Sequence, residues 1–309
     1  MTNTRPHGDS LFRKVTRLFG TINNLLTHPI GRNEKTGTLK RFVRWQLGSR
    51  ILDQAVVVPY MNGTRLVLRT GMHGMTMNFY VGLHEFEDMM FVAHLLRKDD
   101  EFIDVGANAG EYAILAASGG TKVLALEPVP TTYEQLLDNI HINRFHERID
   151  ARNMGIGRER GNLRFSTCAG PTNHVLTAEE SDTPGETVAV DLLDIVANDW
   201  NPIMMKIDVE GFEANVIAGA THLLNEPSLQ TVLIELNGLG ARYGFNDDDI
   251  HNELLAAGFQ PASYEPFARR LTPLEGHQTS GNTLYVRDFS VLEQRLRGAA
   301  PVQVVGNDV

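Results

Sequence analysis

The chain has a single cysteine, Cys168, so no intrachain disulfide and no cysteine-based zinc cluster is available to it. No apolar run approaches the roughly 18 residues that a membrane-spanning helix needs, and the N-terminus lacks the apolar core and small-residue cleavage site of a secretory leader. A cytoplasmic location is therefore expected. Basic charge is scarce outside one segment. Residues 1–50 hold ten Lys or Arg against Asp9 and Glu34, a local charge of +8 in a chain of −10, which leaves −18 on the remainder. An acidic body disfavours a nucleic-acid partner, because binding along a phosphate backbone displaces its counterions with Lys and Arg. With 42% hydrophobic and 21% charged residues, the 309-residue chain has ordinary globular composition, enough for one large domain and an extension.

The basic segment is patterned. Leu11, Phe12, Val15, Leu18, Phe19, Ile22, Leu25 and Leu26 recur at helical spacing with Arg13, Lys14 and Arg17 between them, and Thr38–Leu47 reads similarly. Two basic amphipathic helices are predicted, separated by a turn-rich break at residues 31–37. Either their apolar stripes pack on the domain or on a second copy of the chain, or they lie on a membrane surface. Residues 55–60 and 65–69, joined through Asn62-Gly63, predict a β-hairpin, since Asn-Gly supplies the positive φ angles of a tight turn. A helix over 85–96 leads into the main pattern.

From residue 101 strands and helices alternate. Strands are predicted at 101–105, 122–126, 149–154, 203–207 and 231–236, with helices at 110–117, 131–143, 192–198, 212–224 and 247–257, then two further strands at 259–264 and 283–286. Strands separated by helices of this length require right-handed crossovers and a mostly parallel sheet covered on both faces. The last two strands close it antiparallel. Between Gly157 and Val190 the alternation lapses into Gly, Thr, Pro and Asn, with a short hairpin at 163–167, a candidate substrate loop. The pattern divides the chain into an extension (1–98), an α/β domain (99–297) and an unpatterned tail from Gly298 expected to be flexible.

Phe102-Ile103-Asp104-Val105-Gly106-Ala107-Asn108-Ala109-Gly110 ends one strand and opens a helix. In open α/β sheets ligands bind there, outside the carboxyl ends of the strands. A dinucleotide would set a pyrophosphate against the helix start and use three glycines in G-x-G-x-x-G. Here the middle glycine is missing and Asp104 precedes the first, which suits the cationic amino group and sulfonium of S-adenosylmethionine better than an anion. Glu127, 23 residues on and ending the next strand before Pro128, is placed like the acid that accepts ribose hydroxyls. Asn108 is a candidate for the amino-acid end of the cofactor, and Asn153 with Met154 for adenine.

With Leu126-Glu127-Pro128-Val129-Pro130, Lys206-Ile207-Asp208-Val209-Glu210-Gly211-Phe212-Glu213 and Gly219-Ala220 following in order, the chain resembles the FkbM family of methyltransferases over about residues 100–260. The resemblance implies a class I methyltransferase fold, Rossmann-like and doubly wound with seven strands, and methyl transfer to a hydroxyl of a saccharide or small natural product. It does not identify the acceptor and does not demand a metal.

Proton removal from such a hydroxyl needs a base or a metal at the catalytic end of the sheet. Asp208 ends the fourth strand beside the first, with Lys206 on the same face and Glu210 in the following turn. The alternative for these three is an ion-paired rim that caps the helix from Phe212. Glu235 and Asn237 end the fifth strand and, with Asp208, form an oxygen-rich set suited to Mg²⁺. His174, in Gly170-Pro171-Thr172-Asn173-His174, is a second candidate base or a solvated loop histidine. Glu85 would cover the acceptor from the N-terminal side, or merely open a helix with a favourable charge. Two other functions stay open at this point: a nicotinamide-dependent oxidoreductase, and a non-catalytic membrane-associated module on the same fold.

Overall fold

The computed structural model describes residues 11–51, 54–167, 172–305 and 307–309. The N-terminal part runs α1 (Leu11–Thr27), α2 (Lys35–Ile51), β1 (Val56–Pro59), β2 (Arg65–Leu68), α3 (His73–Val81) and α4 (Phe86–Leu95). The α/β part continues β3 (Glu101–Val105), α5 (Glu111–Ser118), β4 (Lys122–Leu126), α6 (Pro130–Asn143), β5 (Ile149–Arg152), β6 (Gly155–Ile156), β7 (Gly161–Ser166), β8 (Gly185–Asp191), α7 (Leu193–Val196), β9 (Met204–Ile207), α8 (Glu213–Ala218) and β10 (Thr231–Glu235). It closes with α9 (Asp247–Ala256), β11 (Gln260–Glu265), β12 (Arg270–Pro273), β13 (Asn282–Val286), α10 (Phe289–Arg297), β14 (Gln303–Val304) and β15 (Asn307–Asp308).

Eight strands form one sheet in the order β12-β11-β13-β10-β9-β3-β4-β5. The five from β10 to β5 are parallel, and β13 enters antiparallel between β10 and β11. The chain starts in the middle, winds outward through β4 and β5, then crosses back to β9, so the order reverses between β3 and β9. This is the doubly wound Rossmann-like class I arrangement, with its ligand crevice at the reversal. The strands read as near-continuous apolar runs because both faces are covered. Strand parity sorts the side chains: Phe102, Val123, Ala125, Met204 and Leu233 join a core with α4, α5 and the N-terminal elements, whereas Ile103, Leu124, Met205 and Val232 join one with α7, α8 and α9.

Several expectations need correction. The hairpin β1–β2 forms and Asn62 (φ 51°) and Gly63 (φ 76°) do take positive φ, but the first pair is Pro59 with Arg65, so the loop is longer than a two-residue turn. The interval 157–190 is built rather than loose: β7 pairs antiparallel with β8, β6 adds in parallel, and Phe165, Val175, Val188 and Val190 form a small core with Val129. The helix expected over 212–224 stops at Ala218, where a Cβ on Gly219 would lie 2.1 Å from the Gly157 carbonyl oxygen. The tail from Gly298, expected to be flexible, carries β14 and β15 and buries Val302, Val304 and Val309 in the core shared with α4. Helices α3 and α10 and edge strand β12 were not anticipated. No helix among the described residues is long and apolar enough to cross a membrane.

Candidate active site

Two openings meet at the carboxyl ends of β3, β4 and β9. A narrow cleft is lined by Gly106, Asn108, Leu126, Glu127, Pro128, Met154, Ile156 and Phe165, among others. A cavity of about 470 Å³ lies on the α5 side, lined in part by Thr70, Met75, Glu85, Glu111, Tyr112 and Glu235. Asn108, Thr132, Asn173, Asp208 and Glu210 border both, so the two are one continuous crevice with Asp208 and Glu210 at the join.

The loop between β3 and α5 is shaped by backbone that ordinary residues avoid. Gly106 has φ +78°, and a Cβ there would sit 1.8 Å from the Asp208 carbonyl oxygen. Asn108 takes φ 50°, a left-handed conformation that asparagine tolerates, and its Oδ1 accepts the Ala109 N–H at 2.8 Å. Glu127 fixes this loop from the next strand. Its Oε2 accepts the Asn108 N–H at 2.9 Å and its Oε1 the Val129 N–H at 2.8 Å. Burial pushes the Glu127 carboxyl up to about 7, against the pull of these two donors.

In the wide cavity the carboxylates are less well matched. Lys206 is 3% exposed and donates from Nζ to Asp208 Oδ2 at 3.0 Å, its ammonium 4.9 Å from the centre of the Tyr112 ring. Burial alone would lower Lys206, but Asp208, Asp104 and Glu85 around it hold it well above its ordinary value. Burial, then the neighbouring Asp208 and Glu235, push Glu210 up to about 8. Burial and Asp208 push Glu235 up to about 7. Glu111 rises to about 8 through burial and Glu85, and Asp88 behind the cavity to about 7 for the same two reasons. Tyr112 donates its hydroxyl to Glu85 Oε2 at 2.6 Å, which fixes Glu85 at the wall.

Of the residues singled out in the sequence, Gly106, Glu127, Pro128 and Met154 line the cleft, Glu85 and Glu235 the cavity, and Asn108, Asp208 and Glu210 both. The others act from behind or elsewhere. Asp104 does not face either opening: parity puts it on the α5 face, 1% exposed, with neither carboxylate oxygen hydrogen-bonded. Its charge is balanced by Lys206, against a burial effect that lifts its carboxyl to about 6. The expected contact between Asp104 and a cationic ligand is thus replaced by an internal one. Gly110 starts α5 in the left-handed region beneath the loop, where a Cβ would meet Leu136 at 2.5 Å. Asn153 braces the turn, donating from Nδ2 to the carbonyls of Glu127 at 2.9 Å and Pro128 at 2.8 Å. Lys206 is a buried counter-charge.

His174 is not brought to the crevice. Its Nδ1 lies 3.1 Å from the Thr172 carbonyl oxygen and its Nε2 3.1 Å from Glu180 Oε1, so both nitrogens are engaged in the loop after β7. Gly170 and Pro171 of the motif lie outside the described residues. Asn237 accepts the Leu239 N–H on Oδ1 at 3.0 Å, and its side chain hydrogen-bonds Glu235. Asp208, Glu210 and Glu235 each offer an oxygen within 4.8 Å of the others, a spacing that suits a hard divalent cation. Glu111 and Tyr112 were missed, although they directly follow Gly110 and open α5 at the crevice. So were Phe165 and Asn173, which only the long-range pairing of β7 and β8 delivers.

Residues 104–261 match the family described as Methyltransferase FkbM domain, 158 of the 309 residues. The chain belongs to this family. It is 30% identical over 142 residues to hexuronic acid methyltransferase AglP of Haloferax volcanii, a match that covers 45% of this chain and 57% of that protein. A 64-residue stretch is 34% identical to the tRNA(Phe) (4-demethylwyosine(37)-C(7)) aminocarboxypropyltransferase of Pyrococcus horikoshii, covering 20% of this chain and 23% of that one. Among solved structures, the methyltransferase FkbM of Methylobacillus flagellatus superposes with a TM-score of 0.42 at 17% identity, over 89% of this chain and 59% of that one. The chain thus spans less than two thirds of each of these relatives.

Proposed function

We propose that this member of the FkbM family is an S-adenosylmethionine-dependent O-methyltransferase whose acceptor is a hydroxyl of a saccharide or small natural product. The observation that carries the reading is the position of Asp208 and Glu210 at the join between the narrow cleft beside Glu127 and a separate cavity. S-adenosylmethionine, when bound, supplies an electrophilic methyl group on a sulfonium centre. The residues present fit that group: a glycine cradle at 106, Glu127 beside the cleft for ribose hydroxyls, Met154 and Ile156 for an apolar ring, and carboxylates in place of cations where a positive centre would rest. A pyrophosphate would meet Glu127, Asp208 and Glu210, which weighs against a nicotinamide-dependent oxidoreductase. The sugar-directed relative named above supports a saccharide acceptor.

On this reading the chain's own residues do three things. Glu85, Glu235 and the walls of the cavity orient the acceptor so that one hydroxyl faces Asp208. The Asp208–Glu210–Glu235 cluster would take the hydroxyl proton as the acceptor oxygen gains a methyl group from the bound donor. Carboxyls lifted to about 7 and 8 at Glu235 and Glu210 are matched to a base working near neutral pH. Lys206, through its hydrogen bond to Oδ2 at 3.0 Å, keeps Asp208 aimed.

The test is labelled-methyl transfer over sugars, nucleotide sugars and polyphenols, with Asp208→Asn alongside. Turnover should fall by about 10²–10⁴-fold in the variant, while affinity for S-adenosylhomocysteine changes far less. Calorimetric binding of NAD but not of S-adenosylmethionine would overturn the reading. Loss of turnover on exhaustive EDTA treatment, restored by Mg²⁺, would add a metal at Asp208, Glu210 and Glu235; full retention removes it.

A further inference from the structure

Positive charge is dense on α2 and the turn before it, in contrast to the acidic crevice. Arg32, Lys35, Lys40 and Arg44 are exposed, and among the described residues their side chains have no ion-pair or hydrogen-bond partner. Glu34, in the turn before α2, is paired with Arg41 at 3.1 Å. Basic residues on a surface helix ordinarily need no partner beyond water. What departs from a solvated face is the company they keep.

Helix α2 is two-faced. Thr38, Phe42 and Trp45 are buried against the body, whereas Lys40, Val43, Arg44 and Leu47 share the outward face at i, i+3, i+4 and i+7. Val43 is 50% and Leu47 58% exposed, and on the adjoining α1 Phe19 is 68% exposed. Beside this face an apolar groove of about 180 Å³ runs along α2, with Arg44, Trp45, Pro59 and Phe79 in its wall and the half-exposed Val57 at its side. An outward face that mixes unpaired cations with bare aliphatic side chains is costly in water. It is suited to the boundary of a lipid bilayer, where long cationic side chains reach anionic headgroups while Val, Leu and Phe enter the acyl region. A bare polyanion would match the charge but leave the aliphatic side chains unused.

We propose that α2, with the exposed end of α1, is a docking surface for the headgroup region of an anionic phospholipid bilayer. The sequence places Arg13, Lys14 and Arg17 earlier on α1, which adds to the charge on that segment, although their side chains lie outside the described residues. Docking does not depend on the methyltransferase reading. It would bring the crevice near acceptors carried in a membrane.

The test is flotation of the full chain with vesicles of phosphatidylcholine alone and of phosphatidylcholine mixed three to one with phosphatidylglycerol. Recovery is expected only with the anionic vesicles. At about a factor of five per cationic side chain, Lys40→Ala with Arg44→Ala should lower partitioning about thirtyfold. Val43→Ser with Leu47→Ser should lower it about tenfold, with little response to added salt. All four positions are exposed, so thermal melting of both variants should match the parent. The proposal is overturned by equal recovery from the two vesicle types, or by none from either. It is also overturned if binding ignores Val43→Ser with Leu47→Ser. Sedimentation velocity showing a dimer that this pair disperses would assign the face to a second copy of the chain instead.

Discussion

The cleft and the cavity that meet at Asp208 are both walled by carboxylates, yet they treat them oppositely. In the cleft, Glu127 gives one oxygen to the Asn108 N–H and the other to the Val129 N–H, so its buried charge is met by backbone dipoles. In the cavity, Glu85, Glu111, Asp208 and Glu235 share the ammonium of Lys206, and Glu210 is eased by Arg242. The first arrangement fixes a loop. The second leaves protons mobile near neutral pH, as a site that must accept one requires.

The most damaging way to disturb this contrast is to remove the buried cation at Lys206. Lys206→Met leaves Asp104 and Asp208 facing each other without compensation, and should cost about 3–5 kcal/mol of stability, read as a large drop in the thermal midpoint. Next, the two halves should separate by ligand. Glu127→Gln places an amide N–H₂ against backbone donors, and should weaken S-adenosylhomocysteine binding by about tenfold to a hundredfold. Glu85→Gln should raise KM for the acceptor and leave cofactor affinity within about twofold, since Glu85 lines the cavity and not the cleft. If both variants fail on the same ligand, the division of the crevice is wrong.

A subtler separation is by pH. Glu111, Glu210 and Glu235 have an ordinary value of 4.5 and are raised to about 8, 8 and 7 in the folded chain. Between those limits the folded state holds more protons than the unfolded one, so stability should decrease as pH rises from about 4.5 to 8. Turnover should move the other way over the upper part of the same window, as the proton acceptor ionises. Denaturant melts and kcat/KM profiles on the same preparations would show whether the curves cross as expected. The smallest effect is expected outside both openings: His174→Ala should keep turnover within about twofold of the parent, because its ring serves the loop after β7. A loss as large as that of Asp208→Asn would return His174 to the reaction.

The sheet was legible because its strands are short apolar runs bounded by glycine, proline or charge, which only a doubly covered parallel sheet explains. Glu127, Asp208 and Glu210 could be found for the same reason: each lies at a strand end, where the fold opens. Asp104 also sits near such an end, but strand parity sets it with Phe102 and Lys206 on the α5 face, and the glycine loop alone does not reveal this. The pairing of β7 with β8 spans 18 intervening residues of polar, turn-forming composition, and no local pattern carries a ladder of that reach. The tail did leave a trace. Val302 and Val304 flank Gln303, a pattern too short to stand alone as a strand signal.

The close approach at Gly106 has a mechanical meaning. Because the turn after β3 rests on the Asp208 carbonyl, with no room for even a methyl group between them, the floor of the cleft and the acid at the join form a single stiff piece. Whatever motion admits or releases ligands must come from the surrounding walls, such as residues 70–85 or the strands after β5. A side chain introduced at 106 would jam both halves at once.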